Sequence, residues 1–241
     1  MPPWRLLDEL HAPLRDAAGQ MEADLAILGA VAAGREPALR LYRWAPPALS
    51  LGRFQPETDV DDDACARLGV EVVRRPSGGR ALLHGADLTY AVALPRPQGA
   101  AGRVSTVYEL VAGALVAGLA RLGVVAAVAR HDGPAGPVCF AGQQGADLRV
   151  GDRKLCGSAQ ARRDGAVLQH GSILLTRLEF DETDLLRGPA GGPLLDRAGL
   201  RAATVTLEEL GAPTAASEVA AALLAGFRDT LDVEFMSRDD G

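Results

Sequence analysis

Lysine occurs once in this chain: 24 of the 25 basic residues are arginine, and the remaining one is Lys154. A general preference for arginine leaves a stray lysine anywhere. The sharper alternative is that a guanidinium cannot replace an amine whose pKa must move or whose proton must transfer. In the run Lys154-Leu155-Cys156-Gly157-Ser158-Ala159-Gln160, two-residue alternation puts Lys154, Cys156, Ser158 and Gln160 on one strand face. Gly157 leaves the other face without a side chain, where a ligand or a second backbone can lie close. Thiols are the candidate nucleophiles. The three cysteines are odd in number and form no C-x-x-C pair, so reduced thiols are expected rather than a disulfide framework or a zinc site. Cys65, between Ala64 and Leu68 in a short helix, reads as structural, and Cys156 reads equally well as a small core hydrophobe. Cys139 lies between Val138 and Phe140 in a Gly/Pro-rich stretch with no periodicity, the kind of segment where functional residues concentrate. Periodicity alone does not rank Cys139 above Cys156.

A second cluster is Arg74-Arg75-Pro76-Ser77-Gly78-Gly79-Arg80. Paired glycines let backbone N–H groups approach a ligand, and three arginines add positive charge, as in an anion or thioester cradle; a plain hairpin turn fits the same residues. His84 follows on the next strand, able to face either way. Downstream, Gln169-His170-Gly171-Ser172 interrupts two apolar runs, and buried polar groups at such a break need partners or a task.

These groups must be positioned by the surrounding elements. Helical periodicity covers Gln20 to Ala33, and strands are expected at Ala38 to Trp44 and Ala48 to Phe54, broken by Pro46-Pro47. A short helix is expected over Asp59 to Leu68, and strands at Glu71 to Arg75 and Asp87 to Leu94 flank the glycine turn. Thr106 and Glu109 form a capping box opening a helix to about Leu122, followed by a strand at Val124 to Ala129. A meander of Asp147 to Val150, Lys154 to Arg162, Ala166 to His170 and Ile173 to Leu175 turns at Gly151-Asp152 and Asp164-Gly165. Helices near Leu207 to Leu210 and Glu218 to Leu231 and a strand at Val233 to Phe235 close the chain. Consecutive strands with segregated helices give an α+β class, a mixed, largely antiparallel sheet packed by helices in a single domain over residues 1–241.

Composition narrows the function. A net charge of −6 without a basic run argues against duplex nucleic acid as partner, because that binding rests on phosphate neutralisation. No apolar stretch reaches the ~18 residues of a membrane span, and the N-terminus has no secretory h-region, so a cytoplasmic protein is expected.

The stretches RRPSGGRALLHGADLTY, from Arg74 to Tyr90, and KLCGSAQARRDGAVLQHGSILL, from Lys154 to Leu175, resemble the biotin/lipoate protein ligase superfamily. Within it the resemblance is to the LipM-like octanoyltransferases related to lipoate-protein ligase A, with support from LRLYRWAPPALSLGRFQ and from Gly226-Phe227. It implies a class II synthetase, biotin/lipoate ligase-like catalytic domain, a catalytic cysteine ahead of the lysine strand, and no ATP, with metal absent. Cys139, fifteen residues before Lys154, falls at that group's nucleophile, and Lys154 at the lysine of its K-x-x-G-S-A pattern. Substrate contacts then fall on Arg75, Ser77, Gly78, Gly79, Arg80, Gly157, Ser158, Ala159 and Gly171, and on the acyl-pocket histidines His84 and His170. The implied partners are octanoyl-acyl carrier protein as donor and a lipoyl-accepting protein, such as the glycine-cleavage H protein or a dehydrogenase E2 subunit. The rivals are an ATP- and Mg-dependent lipoate ligase and a non-catalytic acyl-carrier or lipoyl-domain binder.

Overall fold

A computed structural model describes residues 3–97, 104–129, 147–187 and 196–237. Its larger sheet is built from β1 (Trp4–Asp8), β2 (Ala38–Tyr42), β6 (Asp87–Pro95), β7 (Ala127–Val128), β8 (Leu148–Val150), β9 (Arg153–Arg163), β10 (Ala166–Leu174) and β11 (Phe235–Ser237), in the order β11-β1-β2-β6-β10-β9-β8-β7. The pairs β11-β1 and β1-β2 are parallel and the rest antiparallel. A smaller sheet places β3 (Ala48–Leu51) between β4 (Glu71–Arg74) and β5 (Leu82–His84). The class is the expected α+β one, with a mixed sheet.

The central strands β6 and β10 are buried almost end to end, as strands covered on both faces must be. One face packs α3 (Val104–Arg121) and α6 (Ala216–Leu231) through Val111, Leu115, Leu223 and Phe227. The other packs α1 (Ala17–Ala32), capped by Asp16, whose carboxylate accepts from the Gly19 N–H. Met21, Ile27, Leu28 and Val31 of α1 meet Ala91, Ala93 and Leu168.

Several local expectations are corrected. The strands around the arginine–glycine turn are not one hairpin: β4 and β6 lie in different sheets, and β5 stands between them in sequence. The polar break at residues 169–172 does not interrupt its strand, because β10 runs through it with its polar side chains paired. Thr106 is not an N-cap, since α3 already includes Val104. The strand at residues 124–129 shrinks to β7. The expected helix over residues 59–68 divides into a 3₁₀ turn, Glu57–Asp59, and α2 (Asp62–Leu68), and that at residues 207–210 is a 3₁₀ turn, Glu208–Leu210. β1, α4 (Glu182–Leu185) and α5 (Arg197–Ala203) were not anticipated. Among the described residues, no helix is long and apolar enough to cross a membrane.

Candidate active site

Strand parity decides what faces the gap between the two sheets. In β10, His170 and Ser172 lie beside Ala91 and Thr89 of β6 and beside Ala159 and Gly157 of β9, so all six project to the α1 side. Beneath the small sheet all of them except Ala91 border a cavity of about 360 Å³ counted with the open solvent at its mouth. Met21, Tyr42, Trp44, Leu82 and Ala159 supply apolar wall, while Ser50, Arg75, His84, Thr89, His170 and Ser172 supply polar groups.

Each of the two cavity histidines belongs to a relay. His170 Nδ1 is 2.8 Å from Asp24 Oδ2 and its Nε2 is 2.5 Å from Ser77 Oγ. Asp24, fully buried on α1, is held in turn by Arg40 at 2.8 Å and by the Tyr42 hydroxyl at 3.1 Å. His84 Nδ1 is 2.9 Å from Asp87 Oδ2 and 3.2 Å from Ser172 Oγ, and its Nε2 is 2.9 Å from Ser50 Oγ. Trp44 stacks on the His84 ring at 4.2 Å and donates its indole N–H to Thr89. Burial alone would raise the Asp87 carboxyl, but the His84 ring and hydrogen bonds from His84, Ser172 and the Gly85 N–H hold it below the ordinary carboxylate value.

The arginine–glycine loop frames this wall from behind. Arg75 is buried and donates to the Ser50, Gly78 and Arg80 carbonyls and to Ser50 Oγ. Its fork therefore organises the loop, and Arg75 borders the cavity, whereas Ser77, Gly78, Gly79 and Arg80 do not. Gly52 lies so close to this loop that a Cβ there would stand 1.9 Å from the Gly79 carbonyl oxygen, and Gly79 has φ +93°.

Lys154 is buried and pairs with Asp147 at 2.7 Å; the other oxygen of Asp147 accepts from the Ser158 N–H at 3.3 Å. One carboxylate thus ties the amine to the strand segment that borders the cavity, although Lys154 itself does not border it. Gly157, Ser158 and Ala159 do, as does Gly171. The face shared by Cys156 and Ser158 is turned the other way, toward the layer of α3 and α6: Cys156 is buried in that core and Ser158 Oγ meets the Tyr90 hydroxyl at 2.7 Å. Burial keeps the Tyr90 phenol well above its usual pKa. Cys139 lies outside the described residues. Among those described, no group of three or more His, Cys, Asp or Glu side chains could hold a metal ion.

Sequence reasoning missed Asp24, Arg40, Ser50, Asp87, Tyr90 and Asp147. A charged residue at Asp24, between Met21 and Leu28 on the apolar face of α1, was the one local signal available.

The profile of the lipoyl protein ligase A/B catalytic domain matches residues 16–228. The chain belongs to that family. Among this family member's curated relatives, the octanoyltransferase LipM of Symbiobacterium thermophilum is 43% identical over 95% of this chain and 86% of its own length. That of Kyrpidia tusciae is 39% identical over 96% and 88%. Among solved structures, a lipoate-protein ligase A bound with ATP is similar with TM-score 0.81 at 26% identity, over 100% of this chain and 90% of that one. A bi-partite lipoate protein ligase from Thermoplasma acidophilum, described together with its E2 lipoyl domain, gives TM-score 0.72 at 25% identity, over 100% and 88%.

Proposed function

We propose that this chain moves an octanoyl group from an acyl carrier protein thioester to a lysine of a lipoyl-accepting protein in the cytoplasm, through an acyl-enzyme on Cys139. The observation that carries the reading is the cavity floored by Gly157, Ala159 and Gly171, in a chain 43% identical to an octanoyltransferase LipM over nearly its whole length. The apolar side chains Met21, Leu82 and Ala159 are of the kind a fatty acyl chain packs against, at about 0.8 kcal/mol per buried methylene.

In the first step the Cys139 thiolate adds to the donor carbonyl and the carrier's thiol leaves. In the second, the acceptor lysine amine adds to the enzyme thioester, the Cys139 sulfur leaves, and an amide remains. Thiol–thioester exchange is nearly isoenergetic and amide formation runs downhill, so neither step calls for ATP. In this reading Lys154 is the cation that favours a thiolate and the proton carrier in both steps. The acceptor is a lipoyl domain of the glycine-cleavage H protein or E2 type, a class supported by the E2 lipoyl domain described with the Thermoplasma ligase.

Intact mass spectrometry after mixing with octanoyl-acyl carrier protein tests this. The expected result is a gain of one octanoyl group, lost in Cys139→Ala and kept in Cys156→Ala. Acylation that survives Cys139→Ala overturns the assignment of the nucleophile. A second reading, an ATP-dependent lipoate ligase, is favoured by the structural likeness to a ligase bound with ATP. Lipoate-driven pyrophosphate exchange would replace the first reading with it, and the absence of both activities would point to a non-catalytic binder.

A further inference from the structure

The two histidines that border the cavity have every ring nitrogen engaged. At Nδ1 each faces a buried carboxylate, Asp87 for His84 and Asp24 for His170. A carboxylate only accepts, so Nδ1 carries the hydrogen and Nε2 is the basic atom of the neutral ring. That basic atom receives a serine hydroxyl in both cases, Ser50 on His84 at 2.9 Å and Ser77 on His170 at 2.5 Å.

An imidazole oriented by a carboxylate, with its other nitrogen open to a substrate cavity, is equipped to be a general base. Beside an acyl thioester it would activate water. The water would give a proton to Nε2 as its oxygen adds to the carbonyl. Collapse would expel the sulfur, which takes that proton from the ring, leaving octanoate and a thiol. We propose that Ser50, which borders the cavity, is a specificity-determining residue that caps the basic nitrogen of His84 and so reserves the acyl group for an amine rather than for water. The inference rests on the acyl-transfer reading above.

The same geometry invites the opposite assignment, Ser50 as a nucleophile, and the surroundings disfavour it. Arg75 Nη1 donates to Ser50 Oγ at 3.1 Å and to the Ser50 carbonyl at 2.8 Å, drawing on electron density that an attack would use. Ser50 also lies inside β3 rather than on an exposed turn, and Ser77 does not border the cavity at all.

The test compares octanoate released from octanoyl-pantetheine with octanoyl-lysine formed on a lipoyl domain, both quantified by mass spectrometry. General bases contribute typically 10²–10⁴-fold, so Ser50→Ala should raise octanoate release at least about tenfold per mole of folded enzyme. The double variant Ser50→Ala/His84→Gln should return it to the wild-type level. Ser50→Gly removes the same hydroxyl, so one variant that fails to fold leaves the other decisive. Unchanged release in the folded single variants overturns the proposal. So does labelling of wild-type Ser50 by a fluorophosphonate together with lower release in Ser50→Ala, which would make it the nucleophile. Octanoate release is measured without acceptor, so a wild-type chain that transfers nothing to lysine overturns the transfer reading and not this one.

Discussion

Replacing Lys154 with methionine separates its solvation role from its chemical role. The ammonium is buried 2.7 Å from Asp147, itself 1% exposed, so Lys154→Met strands a carboxylate in the interior without its cation. Breaking a buried pair from one side costs about 3–5 kcal/mol. For a chain of this length, 1 kcal/mol moves the thermal midpoint by roughly 2–4 °C, so the midpoint should fall by about 6–20 °C. Removing both charges in Lys154→Met/Asp147→Leu should recover most of that loss, since a well-packed apolar pair is often no less stable than a buried ion pair. Octanoyl transfer should stay absent in the double variant. Calorimetry and mass spectrometry on the three proteins decide it. A single variant as stable as wild type would refute the electrostatic argument, and a double variant that still transfers octanoyl would remove Lys154 from the chemistry.

Glu182 is buried on α4 with its carboxylate accepting from the Leu83 N–H, and burial pushes its pKa from 4.5 up to about 7. The folded state therefore holds a proton that the unfolded state has lost, so stability should decline by about 3 kcal/mol as pH rises from about 4.5 to 7, and Glu182→Gln should flatten that slope in thermal melts. Arg75→Lys keeps the charge but loses the fork that reaches Ser50, Gly78 and Arg80; KM for the octanoyl donor should rise several-fold or more in steady-state assays. Gly171→Ala would put a Cβ 2.4 Å from the Gly157 carbonyl oxygen and 2.8 Å from the Tyr90 ring, so urea denaturation should reveal a loss of about 1–3 kcal/mol or more.

The elements legible in sequence were those whose pattern is local. The periodicity of α1 and α6 and the turns at Gly151-Asp152 and Asp164-Gly165 located their segments to within a few residues. What could not be read was pairing over distance. The residues 169–172 look like a break because nothing nearby explains a buried histidine and serine; their partners are Asp24, Ser77, Thr89 and His84, as many as 146 positions away. Likewise the parity of β9 grouped Lys154, Cys156 and Ser158 correctly on one face, but sequence could not say that this face turns to the helices and that the glycine face meets the cavity. In sequence Asp147 reads as a strand start and not as the partner of Lys154, because the contact depends on how β8 registers against β9.

The cavity straddles a seam. Ser50, Arg75 and His84 come from the small sheet and its loop, whereas Thr89, Ala159, His170 and Ser172 come from the large one. An aliphatic tail lodged there would touch both halves at once and act as mortar between them. Cargo and scaffold would then stiffen together, and the loaded protein should exchange the amide hydrogens of β3 and β5 more slowly than the empty one.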